Sequence, residues 1–159
     1  MTPGILKWLV SVRPLIPNPG HVLEVGALDV NGNPRSLFPD AITYVGVDRV
    51  GGPNVDLVWD AANLVEFFGP ASKNTVLCCE MLEHAADPPA VLRHINCILR
   101  PCGILVVTTP GNGFPEHRHP RDYWRLMPDA MREICFDGFD VLGSATTQEN
   151  IQCMIGRKL

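Results

Sequence analysis

No C-x-x-C pair occurs among the six cysteines (Cys78, Cys79, Cys97, Cys102, Cys135 and Cys153), and none of their spacings matches a zinc finger. That argues against a zinc ribbon and a dithiol centre, and it favours free thiols buried in a reducing compartment. No G-x-G-x-x-G is present to cradle a pyrophosphate, which argues against a nicotinamide dinucleotide. Basic residues are not in excess: 13 Lys and Arg stand against 17 Asp and Glu, a net charge of −4. The chain therefore has no broad electrostatic footprint for nucleic acid, although a local basic patch stays open. No apolar run is long enough to span a bilayer. Ile5, Leu6, Trp8, Leu9 and Val12 have helical spacing, but Lys7 and Arg13 interrupt a stretch already too short, and no small-residue cleavage site follows. A cytoplasmic location is expected. There is no internal repeat, and the 15 prolines punctuate elements without forming a low-complexity tract.

What remains is an ordinary globular composition, 46% hydrophobic and 19% charged over 159 residues, which predicts one domain. Residues 1–20 read as an amphipathic helix and a stiff connector through Pro14, Pro17, Pro19 and Gly20; residues 21–159 read as the core. Strands are expected over Val22–Val25, Ala41–Asp48, Val55–Trp59, Thr75–Met81 and Ile104–Thr109. Short helical segments are expected over Pro34–Phe38, Leu64–Phe68 and Pro128–Cys135. A longer helix should be capped by Asp87, with Val91, Leu92, Ile95, Ile98 and Leu99 on one face and Pro101–Gly103 as its stop. The fourth and fifth strands have almost no polar alternation, as when both faces of a sheet are covered. Phe139–Thr147 and Ile151–Arg157 read as an antiparallel hairpin. The fold class is α/β: a Rossmann-like, mostly parallel sheet with helices on both faces and a C-terminal antiparallel hairpin.

The first strand breaks at Gly26 into a polar turn holding Asp29, Asn31 and Gly32. In an open α/β sheet such a break makes the crevice where nucleotides sit, and glycine admits close backbone approach. Acids punctuate the other strands. Asp48 closes the second strand, placed to accept hydrogen bonds from ribose hydroxyls. Asp60 follows the third, where its carboxylate and the Ala61 backbone suit an adenine. Glu80 lies near the end of the fourth, and Glu24 lies on the first.

In this order V-L-E-V-G, Y-V-G-V-D, W-D-A, L-C-C-E-M-L-E-H and L-R-P-C-G-I-L-V-V-T-T-P resemble the class I S-adenosylmethionine-dependent methyltransferases, from Val22 to nearly the end of the chain. The segment L-C-C-E-M-L-E-H-A-A-D-P is similar to the fourth-strand motif of the broad small-molecule group, and D-V-N-G looks like a phage and bacterial variant of the first loop. The resemblance implies seven strands and S-adenosylmethionine as cofactor. It also implies that Glu24, Gly26 and Ala27 line the methionine end, Asp48 binds ribose, Asp60 and Ala61 bind adenine, and Glu80 adjoins the sulfonium; Asp29 belongs to the cofactor-binding set by shaping the first loop. The first loop departs from the family, whose outline is E-x-G-x-G-x-G: Leu28 and Val30 replace two glycines.

Methyl transfer can proceed largely by positioning, but a hydroxyl acceptor usually needs a base. His84, after the fourth strand, and His117, in the loop Pro110–Tyr123, are the catalytic candidates, with His119 in the same loop as a further one. Glu116, His117 and His119 offer too few ligands for a metal, so none is expected. Arg118, Arg121, Tyr123, Trp124 and Arg125 are read either as a substrate wall or as packing that pins the loop, with Tyr123 and Trp124 favoured as packing. The expected function is methyl transfer to a small-molecule or glycan acceptor, O-directed. The alternatives are a degenerate cofactor-binding or scaffold domain and, less favoured, a nucleic-acid methyltransferase. Neither the acceptor nor the oligomeric state is legible.

Overall fold

A computed structural model describes residues 1–119 and 121–159; Pro120, inside the long loop, lies outside the described residues. The chain begins with α1 (Pro3–Val12), started by the Thr2 hydroxyl, which accepts from Ile5 N at 3.4 Å, and by Pro3 in the first turn. Its Ile5, Leu9 and Val12 are buried as one stripe. The strands are β1 (His21–Val25), β2 (Thr43–Asp48), β3 (Leu57–Val58), β4 (Lys73–Cys79), β5 (Leu99–Pro110), β6 (Phe139–Thr146) and β7 (Ile151–Lys158). They form one seven-stranded sheet in the order β3-β2-β1-β4-β5-β7-β6. Pairing is parallel from β3 through β5, and β7 runs antiparallel to both β5 and β6, so it is the one reversed strand.

Successive residues along the strands point to opposite faces, and both faces are apolar. Leu23, Val25, Val76, Cys78, Leu105 and Val107 join one core with α2 (Leu64–Phe68) and α3 (Pro88–Ile98). Val22, Leu77, Cys79, Ile104 and Val106 join a second core with α1 and Phe38. In α3 the Asp87 carboxylate accepts from Ala90 N at 3.0 Å, and Val91, Leu92, Ile95 and Ile98 are buried. Each such side chain contributes about 1.5–3 kcal/mol of transfer free energy on burial.

Several boundaries differ from the sequence reading. Strand β2 starts at Thr43, two residues late, and β3 shrinks to two residues because its neighbours are turns. The chain leaves β4 at Cys79: Glu80 adopts φ +54, a left-handed conformation no strand accommodates. Strand β5 begins at Leu99 directly after α3, because Pro101 disfavours helix at Arg100. An irregularity opposite Lys73–Thr75, with Cys102 at φ +62, then carries the chain into the regular pairing from Ile104. The helix at Pro128 is one α turn, α4 (Pro128–Ala130), continued by a π-helical turn over Met131–Cys135. All six cysteines are free. Cys78, Cys79, Cys135 and Cys153 are buried as expected, whereas Cys97 and Cys102 are exposed. Among the described residues no helix is long and apolar enough to cross a membrane.

Candidate functional site

Strand β1 lies between β2 and β4, so the chain winds away from it in both directions and leaves a crevice at the carboxyl ends. Register brings the expected residues to that crevice. Val25 pairs with Val47 and with Cys78, and Asp48 pairs with Val58, so Gly26, Asp48 and Glu80 follow on adjacent strands while Asp60 follows β3. Gly26 has φ +78, and a Cβ there would stand 2.5 Å from Met81 Cγ and 2.6 Å from Met81 Cβ. Here glycine is required both by backbone conformation and by space.

The glycine-poor loop is held by side chains. Asp48 accepts from Leu28 N through Oδ2 and from Val50 N through Oδ1, both at 3.1 Å, tying the end of β2 to the turn. Asp29 takes Gly32 N and Asn33 Nδ2, each at 2.6 Å, one on each oxygen, and these bonds depress its pKa, Asn33 most strongly. Leu28, in a usual glycine position, packs on Gly52: a Cβ there would meet Leu28 Cδ1 at 2.5 Å. Val30 is exposed. Four successive backbone donors are consumed internally: Gly26 N and Ala27 N by Val47 O, Leu28 N by Asp48, and Asp29 N by Pro53 O.

Glu24 is 4% exposed, and its Oε2 accepts from Tyr44 Oη and Asn54 Nδ2, each at 2.8 Å. Burial pushes its pKa up to about 7 against the lowering pull of those bonds. Asn54 also donates to Ala27 O at 2.9 Å and is gripped by Arg35, whose Nε donates to Asn54 Oδ1 at 2.6 Å. The Tyr44–Asn54–Arg35 support was not anticipated. Asn54 sits in a glycine and proline turn and adopts a left-handed φ of +69, which asparagine tolerates better than most residues.

Beyond Asp48, a cleft of about 340 Å³ is lined by Arg49, Val58, Trp59, Asp60 and Asn63. Asp60 Oδ1 caps the 3-10 turn Ala61–Asn63 through Ala62 N at 2.9 Å, and Arg49 Nε approaches Asp60 Oδ2 at 3.7 Å. Ala61 opens that turn, so its N–H has no partner within it. On the other side of the crevice the Glu80 Oε1 is buried with no partner. Burial first, and then the like charge of Glu83, raises the Glu80 pKa well above the ordinary carboxylate range.

The far wall is the long loop folded onto the segment after β4. Glu83, to which the sequence reading gave no role, is fully buried there. Its Oε1 faces His84 Nε2 at 3.7 Å and His117 Nε2 at 3.6 Å, and its Oε2 takes Thr109 Oγ1 at 3.3 Å. The two candidate histidines therefore meet, with ring centroids 5.0 Å apart. The Glu83 carboxylate raises the His117 pKa above the ordinary histidine value. His119 lies farther out, 6.4 Å from the His84 ring, and Glu116 turns away to pair with Arg118. Arg125 is a staple, not a wall: it grips both oxygens of Asp122 and the carbonyls of Phe114, Pro115 and Trp124. Trp124 Nε1 donates to Ala85 O at 2.8 Å, and Tyr123 N donates to Glu83 O at 2.8 Å. Asp122, missed in the sequence, is signalled there only by its i,i+3 relation to Arg125.

A nucleoside-linked sulfonium fits this crevice in part. Asp48 and the adjoining cleft suit the adenosine half, and Glu80 offers an unpartnered buried carboxyl that a neighbouring cation would ionise. The methionine end meets a loop whose backbone donors are already taken.

A family model described as "Methyltransferase domain" matches residues 4–138. A 40-residue stretch is 48% identical to the ubiquinone biosynthesis O-methyltransferase of Xanthomonas euvesicatoria pv. vesicatoria (strain 85-10), covering 25% of this chain and 17% of that protein. The fold is similar to that of the Burkholderia thailandensis 1,6-didemethyltoxoflavin-N1-methyltransferase, solved with 1,6-didemethyltoxoflavin and S-adenosylhomocysteine (TM-score 0.81, 18% identity, 98% of this chain and 78% of that one). It is also similar to the N-methyltransferase NodS of Bradyrhizobium japonicum WM9, solved with S-adenosylhomocysteine (TM-score 0.76, 11% identity, 97% and 85%), and to the [4+2]-cyclase SpnF (TM-score 0.70, 15% identity, 93% and 80%). With its strand order and the match over residues 4–138, the chain belongs to the methyltransferase domain family and has the fold of the class I S-adenosylmethionine-dependent methyltransferases.

Proposed function

We propose that the protein transfers a methyl group from S-adenosylmethionine to an oxygen of a small-molecule or glycan acceptor. The supporting observation is the alignment of Gly26, Asp48, Asp60 and Glu80 at the carboxyl ends of four adjacent strands, within a chain of this family. Asp48 would hold the ribose hydroxyls. Asp60 and the Ala61 N–H would meet the adenine beside Trp59, and Gly26 and Ala27 would let the cofactor lie close to the loop. Asp29 would act indirectly, by shaping the turn. With its Oε2 engaged, Glu24 has Oε1 for the ammonium of the methionine end. Once bound, the cofactor supplies an electrophilic methyl group; Glu80 would set the potential around the sulfonium.

The direction toward oxygen rests on the polar cluster opposite Glu80. A neutral amine attacks with its own lone pair, whereas a hydroxyl must shed a proton. Glu83, His84 and His117 converge where that proton would leave, and the short match to an O-methyltransferase agrees. The two structural relatives named as N-methyltransferases supply the competing expectation.

Titration calorimetry with S-adenosylhomocysteine tests the cofactor assignment. The wild type should bind, and Asp48→Asn should bind about 10- to 100-fold more weakly, the loss of charge-assisted hydrogen bonds of about 1.5–3 kcal/mol. Asp48→Asn with unchanged affinity would refute the ribose role. A second reading is favoured by the occupied donors of the loop and by the existence of this fold in a protein named as a cyclase: the domain binds the cofactor without methyl transfer. Binding without turnover of labelled methyl donor across hydroxyl, carboxyl and amine acceptors would select it.

A further inference from the structure

The cluster that faces Glu80 is assembled in a way that hydrogen bonding within the protein does not explain. Glu83 is fully buried, and its Oε1 has no hydrogen-bond partner; both His84 Nε2 and His117 Nε2 aim at that one atom from 3.7 and 3.6 Å. Those separations are too long for hydrogen bonds. They suit donors sharing an ion: two ligands, each about 2.1 Å from a tetrahedral centre, lie about 3.4 Å apart. One oxygen of Glu83 and one nitrogen from each histidine all lie within 4.8 Å of one another.

The two outer nitrogens differ: His84 Nδ1 is hydrogen-bonded to a backbone carbonyl, whereas His117 Nδ1 is buried without a hydrogen-bond partner and faces a carboxylate. His84 Nδ1 is 2.5 Å from Arg121 O, which makes it the protonated nitrogen and leaves Nε2 with its lone pair free. His117 Nδ1 is 3.5 Å from Asp122 Oδ2, and Asp122 is itself fixed by the Arg125 fork and by His117 N, which donates to Oδ2 at 2.8 Å. A carboxylate behind an imidazole orients the ring and strengthens the forward nitrogen as a ligand.

Charge leads to the same place. Glu83 has no Lys or Arg within 4.0 Å among the described residues, since Arg125 is bound to Asp122 and Arg118 to Glu116. Glu80, three residues earlier, adds a second carboxylate with a buried, unpartnered Oε1. Among the described residues the two imidazoles are the groups facing the Glu83 carboxylate that can carry positive charge, and a cation held between them would offset it.

We propose that Glu83, His84 and His117 bind a divalent first-row transition ion, on the acceptor side of Glu80. Two imidazoles and one carboxylate favour zinc, manganese or iron over magnesium and calcium, which take oxygen ligands. The set differs from Glu116, His117 and His119: only His117 is shared, and Glu83 and His84 come from the 3-10 turn Leu82–His84 that follows β4. Three protein ligands leave a position open. On the O-directed reading above, that position takes the acceptor hydroxyl, and the ion lowers its pKa so that the proton is lost to solvent water before methyl transfer; the histidines then hold the ion and do not themselves take the proton.

The site is tested without cofactor or acceptor, so failure of the methyl-transfer reading leaves the result intact. Chelator-treated full-length protein with Cys97→Ser and Cys102→Ser, which removes the exposed thiols, is dialysed against Zn²⁺ or Mn²⁺, and bound metal is counted by mass spectrometry. One ion per chain is expected for at least one of the two metals. His84→Ala and His117→Ala should each reduce it to background at the same free-metal concentration, with circular dichroism confirming the fold. Glu116→Ala and His119→Ala should retain it. Co²⁺ loaded into the unmutated cluster should show d–d absorption without a thiolate charge-transfer band, which reports the ligands even if a histidine variant unfolds. Substoichiometric binding of both metals, binding that survives both histidine substitutions, a dependence on Glu116 and His119 instead, or a thiolate band would overturn the proposal.

Discussion

Glu24 carries a proton-linked cost to stability that one substitution should remove. Its carboxyl is 4% exposed and its pKa rises from 4.5 to about 7, burial outweighing the bonds from Asn54 and Tyr44. The folded protein thus binds a proton that the unfolded chain releases between those two values. Stability attributable to this group is fully present below pH 4.5 and is lost as pH rises toward and through 7. The shift, at 1.36 kcal/mol per unit, corresponds to about 3 kcal/mol between pH 4.5 and 8 as an order of magnitude. Glu24→Gln keeps an oxygen that can accept from both Tyr44 Oη and Asn54 Nδ2 and cannot ionise. Urea titrations at pH 5 and pH 8 should show little difference between wild type and variant at the lower pH. At pH 8 the variant should be about 2–3 kcal/mol more stable. Because other buried acids titrate equally in both proteins, the difference isolates Glu24. Parallel pH profiles for the two proteins would refute the assignment.

Gly26→Ala should lose about 1–3 kcal/mol in urea titration, because Ala there must hold φ +78 with its Cβ against Met81; an unchanged midpoint would show that the loop gives way freely. Arg125→Lys replaces a fork that spans both Asp122 oxygens with a point charge. Limited proteolysis should then cut between residues 110 and 127 faster while the thermal midpoint moves little; equal cutting rates would deny the staple role. Asp122 has its pKa held well below the ordinary carboxylate value by Arg125. Its contribution is present above that ordinary value and declines as pH falls below it, so wild-type proteolytic resistance in the loop should persist at pH 5 and weaken only in strong acid.

Much of this architecture was legible because periodicity and turn chemistry act locally. Uninterrupted apolar runs at β4 and β5 announced a sheet covered on both faces, and Asp87 with two prolines announced the start of α3. The acids at strand ends were legible as a set for the same reason: each follows a recognisable strand. What escaped depends on contacts far apart in sequence. Asn54 bridges Glu24 and Ala27 across 30 and 27 positions, and Arg121 orients His84 across 37. Glu83 has no legible role in the sequence, since burial cannot be read from a charged residue beside a histidine. Glu80 was placed inside a strand because its left-handed φ has no signature in the residue type.

The altered first loop then has a physical account that does not require loss of function. Family members place glycines there so that backbone can approach the cofactor; this chain keeps the one glycine whose Cβ would strike Met81 and replaces the others. Leu28 gains packing on Gly52, and Asp48, Asp29 and Asn54 fix the turn by side-chain bonds. The consequence is a loop whose N–H donors from Gly26 to Asp29 are spoken for, so on the reading proposed above affinity comes from charge, with Glu24 at the ammonium and Glu80 at the sulfonium. Both acids have raised pKa values, and a cationic ligand favours their ionised forms. Cofactor binding should therefore release protons near neutral pH. Calorimetry of S-adenosylmethionine binding at pH 6.5, repeated in buffers of different ionisation enthalpy, should give apparent enthalpies that vary with the buffer, with a smaller slope in Glu24→Gln. Buffer-independent enthalpies in the wild type would place the ammonium elsewhere.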